Sequence, residues 1–133
     1  MRHVLKQVWS EAFIARLILY VTCLSGKIFD VIVDLRKESS TYMNIYATWL
    51  WGSHQTSGNS VRLFVPSYCG HGFYADEDDS ILLYLQPRCY EPGLDESYNW
   101  DSFGIQWPSQ GRAAYFFPHI ISDKDEQAPP WPS

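Results

Sequence analysis

Apolar residues along this chain come in short runs separated by polar, glycine- or proline-containing turns. Leu17 to Leu24 (LILYVTCL) is rich in β-branched and aromatic residues and reads as a buried strand. Ser25-Gly26 is a turn, and Lys27 to Leu35 (KIFDVIVDL) is the next strand, with Asp30 and Asp34 on one parity and read as structural. Arg36 to Ser40 is a polar turn, Thr41 to Trp51 is aromatic and strand-like, and His54 to Ser60 (HQTSGNS) is a loop. Val61 to Val65 is a strand stopped by Pro66. Residues 1 to 12 are weakly patterned, Asn99 to Pro108 is irregular and aromatic, with Trp100 and Trp107 expected to pack the core, and Gln127 to Ser133 (QAPPWPS) reads as a tail that is frayed or lies on the surface. No helix of amphipathic period stands out. Many short strands with frequent turn signals predict an all-β sandwich or barrel in one domain, residues 1–133.

The most informative stretch is Phe64 to Trp107. It holds a histidine between glycines, Gly70-His71-Gly72, and thirteen residues on a tyrosine, Tyr84, in the apolar run Ile81 to Leu85. The acidic turn Asp76-Glu77-Asp78-Asp79 lies between them. This reads as strand, turn, strand, with His71 and Tyr84 on paired antiparallel strands and a base-like and an acid-like group facing one pocket.

Composition narrows the classes of partner. The chain has 133 residues and a net charge of −5. Its pI is about 5.2, which leaves no basic footprint for nucleic acid. Three cysteines, Cys23, Cys69 and Cys89, are odd in number and lack CxxC spacing, as in a reduced, cytoplasmic protein. Glu11 and Arg16 interrupt the only stretch resembling a leader, and Leu17 to Leu24 is too short to span a bilayer. Only His71 is placed as a metal ligand would be, whereas a first-row metal wants three or more converging donors, so no metal is expected. His54 and His119 look incidental, and Arg36 is read either as a diphosphate contact or as half of a surface ion pair.

The segments GKIFDVIVDLRKESSTY, VP, HGF, LLY, Tyr90-Glu91-Pro92, NWDSFGIQWP and ISDKD follow one another between Gly26 and Pro130. In that order and spacing they resemble the dTDP-4-dehydrorhamnose 3,5-epimerase family of deoxysugar biosynthesis. The resemblance implies a cupin-type jelly roll, a homodimer with swapped edge strands, no metal and no cofactor. The implied substrate is a dTDP-linked 4-keto-6-deoxy sugar, dTDP-4-dehydro-6-deoxy-glucose, epimerised through an enolate at the carbons flanking the ketone.

The resemblance also implies roles. Tyr84 falls on the family's acid, which returns the proton. His71 falls beside the developing enolate oxygen, where a polar group stabilises charge. Asp125, in Ser122-Asp123-Lys124-Asp125, falls on the aspartate that orients the catalytic base. Tyr90 falls on the lining of the sugar or nucleotide pocket.

The N-terminus departs from the pattern. In Arg2-His3-Val4-Leu5-Lys6-Gln7 the arginine and glutamine of the family's Arg-Gly-x-His-x-Gln motif are kept, but Leu5 occupies the position of the base histidine. His3 is two residues earlier, and a register slip of two keeps a strand side chain on the same face, which makes it a candidate replacement for the base. Arg16, in Ala15-Arg16-Leu17, resembles the lysine that helps to hold the enolate, although counting back from Gly26 without a gap puts Leu19 there instead. Arg2, Gln7, Arg16 and Tyr90 are therefore the expected substrate-binding residues. Residues 1–25 match poorly and 26–130 well, as in a chain with a damaged or divergent N-terminus. The alternative functions are a catalytically impaired sugar-nucleotide-binding jelly roll and a related keto-sugar isomerase or single-site epimerase.

Overall fold

Eight strands and one short helix make up the regular structure in the computed structural model, which describes residues 7–9, 19–52, 61–77, 79–87, 96–108, 120–121 and 123–132. In chain order they are β1 (Gln7–Trp9), β2 (Leu19–Ser25), β3 (Lys27–Asp34), β4 (Ile45–Trp51), β5 (Arg62–Val65), β6 (Cys69–Ala75), β7 (Ile81–Leu85), β8 (Ile120–Ile121) and α1 (Asp123–Glu126). They form two sheets, one five-stranded in the order β4-β3-β6-β1-β8 and one three-stranded in the order β5-β2-β7. The all-β jelly-roll expectation holds. No helix among the described residues is long and apolar enough to cross a membrane.

Period-two alternation explains how the layers pack. On β2, Leu19, Val21 and Cys23 are buried while Tyr20 and Leu24 are exposed. Those three join Leu63 and Val65 of β5, Ile28 of β3, Leu50 of β4 and Cys69 of β6 in one apolar core between the sheets. The other parity of β3 serves a second core. There Val31, Val33 and Tyr74 meet Ile105 and Trp107, with Trp100, Phe103 and Trp131 packed against them. β3 is thus covered on both faces and carries no exposed position, whereas the neighbouring edge strand β4 is largely exposed. Gly26, at φ +78°, makes the sharp turn from β2 to β3, and a Cβ there would meet the Ser80 Cα at 2.8 Å, so no other residue fits.

Several expectations change. β6 and β7 are not a hairpin: β6 pairs with β3 and β1, and β7 with β2 in the other sheet. Strand, turn, strand is the right local reading, but the turn carries the chain from one layer to the other. The weakly patterned N-terminus contributes β1, which pairs antiparallel with β6 and parallel with β8. The segment from Thr41 to Met43 is turn rather than strand, closed by the Met43 amide donating to the Asp34 carbonyl at 2.7 Å. The C-terminal tail is anchored: the Trp131 ring stacks on Phe103 at 5.9 Å, and its backbone N–H donates to Ser102 Oγ at 3.0 Å. Trp107 is buried in the second core as expected, and Trp100, partly buried, packs against it.

Candidate active site

The register places His71 and Tyr84 on the facing sides of the two sheets. On β6, His71 pairs with Ile32, and its parity is that of Cys69, which belongs to the core between the sheets. On β7, Tyr84 pairs with Val21, a residue 1% exposed in that same core. The two side chains therefore project into one intersheet space from opposite walls. They differ in depth, because His71 is 5% exposed and Tyr84 is 47% exposed.

His71 is fixed by a partner assigned above only to structure. Its ring Nε2 lies 2.8 Å from Asp30 Oδ2, and Asp30 is fully buried. Asp30 pairs with Phe73 on β6, so it is the diagonal neighbour of His71 across the β3–β6 ladder. Oδ1 of Asp30 is also buried and has no hydrogen-bond partner among the described residues. Two ionisable groups taken out of water are tolerable only as a pair. The interaction joins residues 41 positions apart. Sequence spacing carries no trace of it beyond the shared parity of Asp30 and Asp34.

Asp125 is 1% exposed in α1, which follows β8, two strands along the sheet from β6. Gln7 opens β1, the strand between β6 and β8. Arg2, His3, Leu5, Arg16 and Tyr90, with Cys89, His54 and His119, lie outside the described residues. Cys23 and Cys69 are buried free thiols, and burial pushes both up from the ordinary thiol range. Among the described residues no three His, Cys, Asp or Glu side chains converge as a metal site requires.

Of the two readings of Arg36, the ion pair is the one realised. Its guanidinium grips Asp34 in a fork, Nε to Oδ1 at 2.8 Å and Nη2 to Oδ2 at 2.9 Å. Lys27 lies 3.6 Å from Asp76 and 4.2 Å from the centre of the Trp49 ring. An open groove of about 430 Å³ lies on the outer face of the three-stranded sheet, among Tyr20, Thr22, Leu24, Arg62, Leu83 and Leu85. It is larger than the crevice of about 20 Å³ behind Gly70 and Gly72, but it lies on the face of the sheet opposite to Tyr84.

The fold is shared with solved deoxysugar epimerases. A 4-keto-6-deoxy sugar epimerase from the novobiocin gene cluster of Streptomyces spheroides superposes with a TM-score of 0.78 at 29% identity, over 93% of this chain and 59% of that one. A 3′-monoepimerase from Streptomyces bikiniensis, solved with dTDP-quinovose, gives a TM-score of 0.72 at 25% identity, over 95% and 60%.

Sequence comparison is more specific. The family model described as dTDP-4-dehydrorhamnose 3,5-epimerase matches residues 10–133, and the chain belongs to that family. The enzyme of that name from Mycolicibacterium smegmatis is 36% identical over 110 residues, covering 83% of this chain and 49% of the relative. The one from Methanothermobacter thermautotrophicus is 37% identical over 112 residues, covering 83% and 56%. The chain spans about half the length of these curated relatives.

Proposed function

We propose that this protein is a nucleotide-sugar 3,5-epimerase of dTDP-rhamnose synthesis, acting on dTDP-4-dehydro-6-deoxy-glucose. The observation that carries the reading is that His71 and Tyr84 lie on the facing sides of the two sheets. Epimerisation removes a proton from one face of a carbon and returns one to the other, so it needs proton-handling groups on both sides of the sugar. A C–H bond next to a ketone is acidic because the electron pair left behind delocalises onto oxygen as an enolate. That chemistry is proton transfer alone and calls for no cofactor. Tyr84 is the acid. Arg2, Gln7, Arg16 and Tyr90 are assigned to holding the nucleotide sugar, and Asp125 to the proton-abstracting side. Leu5 stands where the family carries its base histidine, so abstraction falls to another group.

The chain is further assigned to the cytoplasm and to a homodimer. The dimer is supported by the outer face of the three-stranded sheet, where Tyr20, Leu24, Phe64, Leu83 and Leu85 are all exposed. Light scattering during size exclusion at micromolar concentration tests it, and a monomer would remove it.

The function is tested by incubating the folded chain with dTDP-4-dehydro-6-deoxy-glucose in deuterated water and measuring sugar mass. Deuterium at both carbons flanking the ketone is the expected result. The second reading, a single-site epimerase, is favoured by the structural likeness to a 3′-monoepimerase and gives deuterium at one carbon only. No uptake leaves a sugar-nucleotide-binding domain without turnover.

A further inference from the structure

We propose that His71 is the proton-abstracting base of this chain and that Asp30 is the residue that positions it. The proposal rests on the epimerase reading above and names the group that reading leaves open.

Three observations carry it. The first is the pair itself, Nε2 to Oδ2 at 2.8 Å, with both residues more than nine-tenths buried. A carboxylate in this position accepts the Nε2–H and so fixes the tautomer with its lone pair on Nδ1, the nitrogen that can take a proton. The second is that the pair is not needed to align the strands. β3 and β6 are already held by a ladder running from Ile28↔Ala75 to Asp34↔Cys69, and Ile28 and Ile32 flank Asp30 on the same face. An apolar pair there would hold the same register without the desolvation cost of two ionisable groups. The third is that Asp30 Oδ1 has no donor among the described residues. Among the described residues the ring of His71 is the one partner of this carboxylate, whose charge at 2.8 Å stabilises the imidazolium that forms when Nδ1 takes up a proton.

Tyr84 completes the arrangement from the other sheet. His71 Nδ1 takes the proton from the carbon beside the ketone, and the C–H electron pair becomes the C=C of the enolate while the carbonyl π pair moves to oxygen. The Tyr84 hydroxyl then gives its proton to the opposite face of that carbon as the carbonyl reforms. The resulting imidazolium and phenolate return to their starting states by net proton exchange with water, and no electron is gained or lost.

The test follows deuterium entry and product configuration, with a nucleoside-diphosphate 4-keto-6-deoxy sugar in deuterated water, for the full wild-type chain, His71→Asn, Asp30→Asn and Tyr84→Phe. His71→Asn is expected to lower the rate of deuterium entry at least about 100-fold. Asp30→Asn is expected to lower kcat by about 100-fold with little change in KM, since the base is misoriented while the sugar still binds. Tyr84→Phe is expected to let deuterium enter with retained configuration, because abstraction survives and opposite-face return does not. ¹⁵N spectra of the wild-type chain are expected to show the Nε2–H tautomer of His71 whether or not any variant folds. Deuterium entry that survives His71→Asn within about threefold overturns the base assignment alone. An Nδ1–H tautomer also overturns it. An Asp30→Asn variant with lower thermal stability but unchanged kcat overturns the positioning role. Absence of exchange in the folded wild-type chain overturns this proposal together with the epimerase reading.

Discussion

Asp30 and Asp34 lie on the same face of the same strand and are treated in opposite ways. Asp34, at the end of β3, receives hydrogen bonds from the Arg36 backbone and both arms of its guanidinium, from Ser39 Oγ at 2.6 Å and from Thr41 Oγ1 at 2.6 Å. All of these donors lie within seven residues of it. The Arg36 guanidinium first, and then the two hydroxyls and the Arg36 N–H, hold the Asp34 carboxyl well below the usual carboxylate range despite partial desolvation. Asp30, one turn of the pleat further inside, has a single described donor from 41 residues away and one oxygen with none. A carboxylate that ties off a turn is saturated by its neighbours. One that serves a site is left partly unsatisfied and aimed at a titratable ring. The contrast separates scaffold from candidate machinery within five residues of sequence.

The sharpest way to break the comparison is to neutralise each aspartate without changing its shape. Asp30→Asn is expected to lower turnover by about 100-fold, equivalent to about 2.7 kcal/mol of activation free energy. Asp34→Asn is expected to leave turnover of the folded fraction within about threefold. Its cost is expected in urea denaturation instead, at about 2 kcal/mol, because an amide cannot accept the Arg36 fork and all the hydroxyls at once. If the two variants exchanged effects, the division between them would be wrong.

Acid titration sharpens it next. A carboxyl whose folded-state pKa is lowered contributes stability that is fully present above its unfolded value of about 4 and is lost as the pH falls below it. The wild-type stability curve should therefore fall more steeply than that of Asp34→Asn below about pH 4, and the two should run parallel above about pH 5. Parallel curves throughout would deny Asp34 its role. Thr41→Ala, which removes one hydroxyl donor, is expected to cost about 1 kcal/mol, read as a shift in the urea midpoint. The smallest expected effect lies at the entry to β6, where Tyr68 holds φ +61° and is 48% exposed. Tyr68→Gly is expected to stabilise the chain by about 0.5–1 kcal/mol, because glycine adopts that conformation without the Cβ clash. A loss of stability there would mean that the ring contributes more than the strained backbone costs.

Much of the fold was legible locally. The runs around Leu19, Lys27, Val61, His71 and Ile81 all became strands, and Gly26 and Pro66 ended or separated elements where expected. The misses share a cause. β1 is three residues long and draws its stability from β6 and β8 on either side, so it leaves little pattern of its own. The sequence does not distinguish a β6–β7 hairpin from the observed crossing, because a hairpin and a crossing between layers show the same alternation and the same polar turn. The choice between them is made by which partner buries the inner side chains. Of the site, His71 and Tyr84 are visible in the sequence as residues of the right chemistry, while Asp30 reads as structural because its partner is distant in sequence.

What the sequence by itself determined is therefore the class of the fold, the family and the residue types available for proton transfer. All three are written in short-range periodicity and in ordered motifs. What only the tertiary structure decided is which sheet each strand joins, that His71 and Tyr84 stand on opposite walls rather than side by side, and which aspartate meets the histidine. Those are long-range pairings. They are set by the collective burial of two cores and by the need of every buried charge for a partner, and no local window of residues contains either condition.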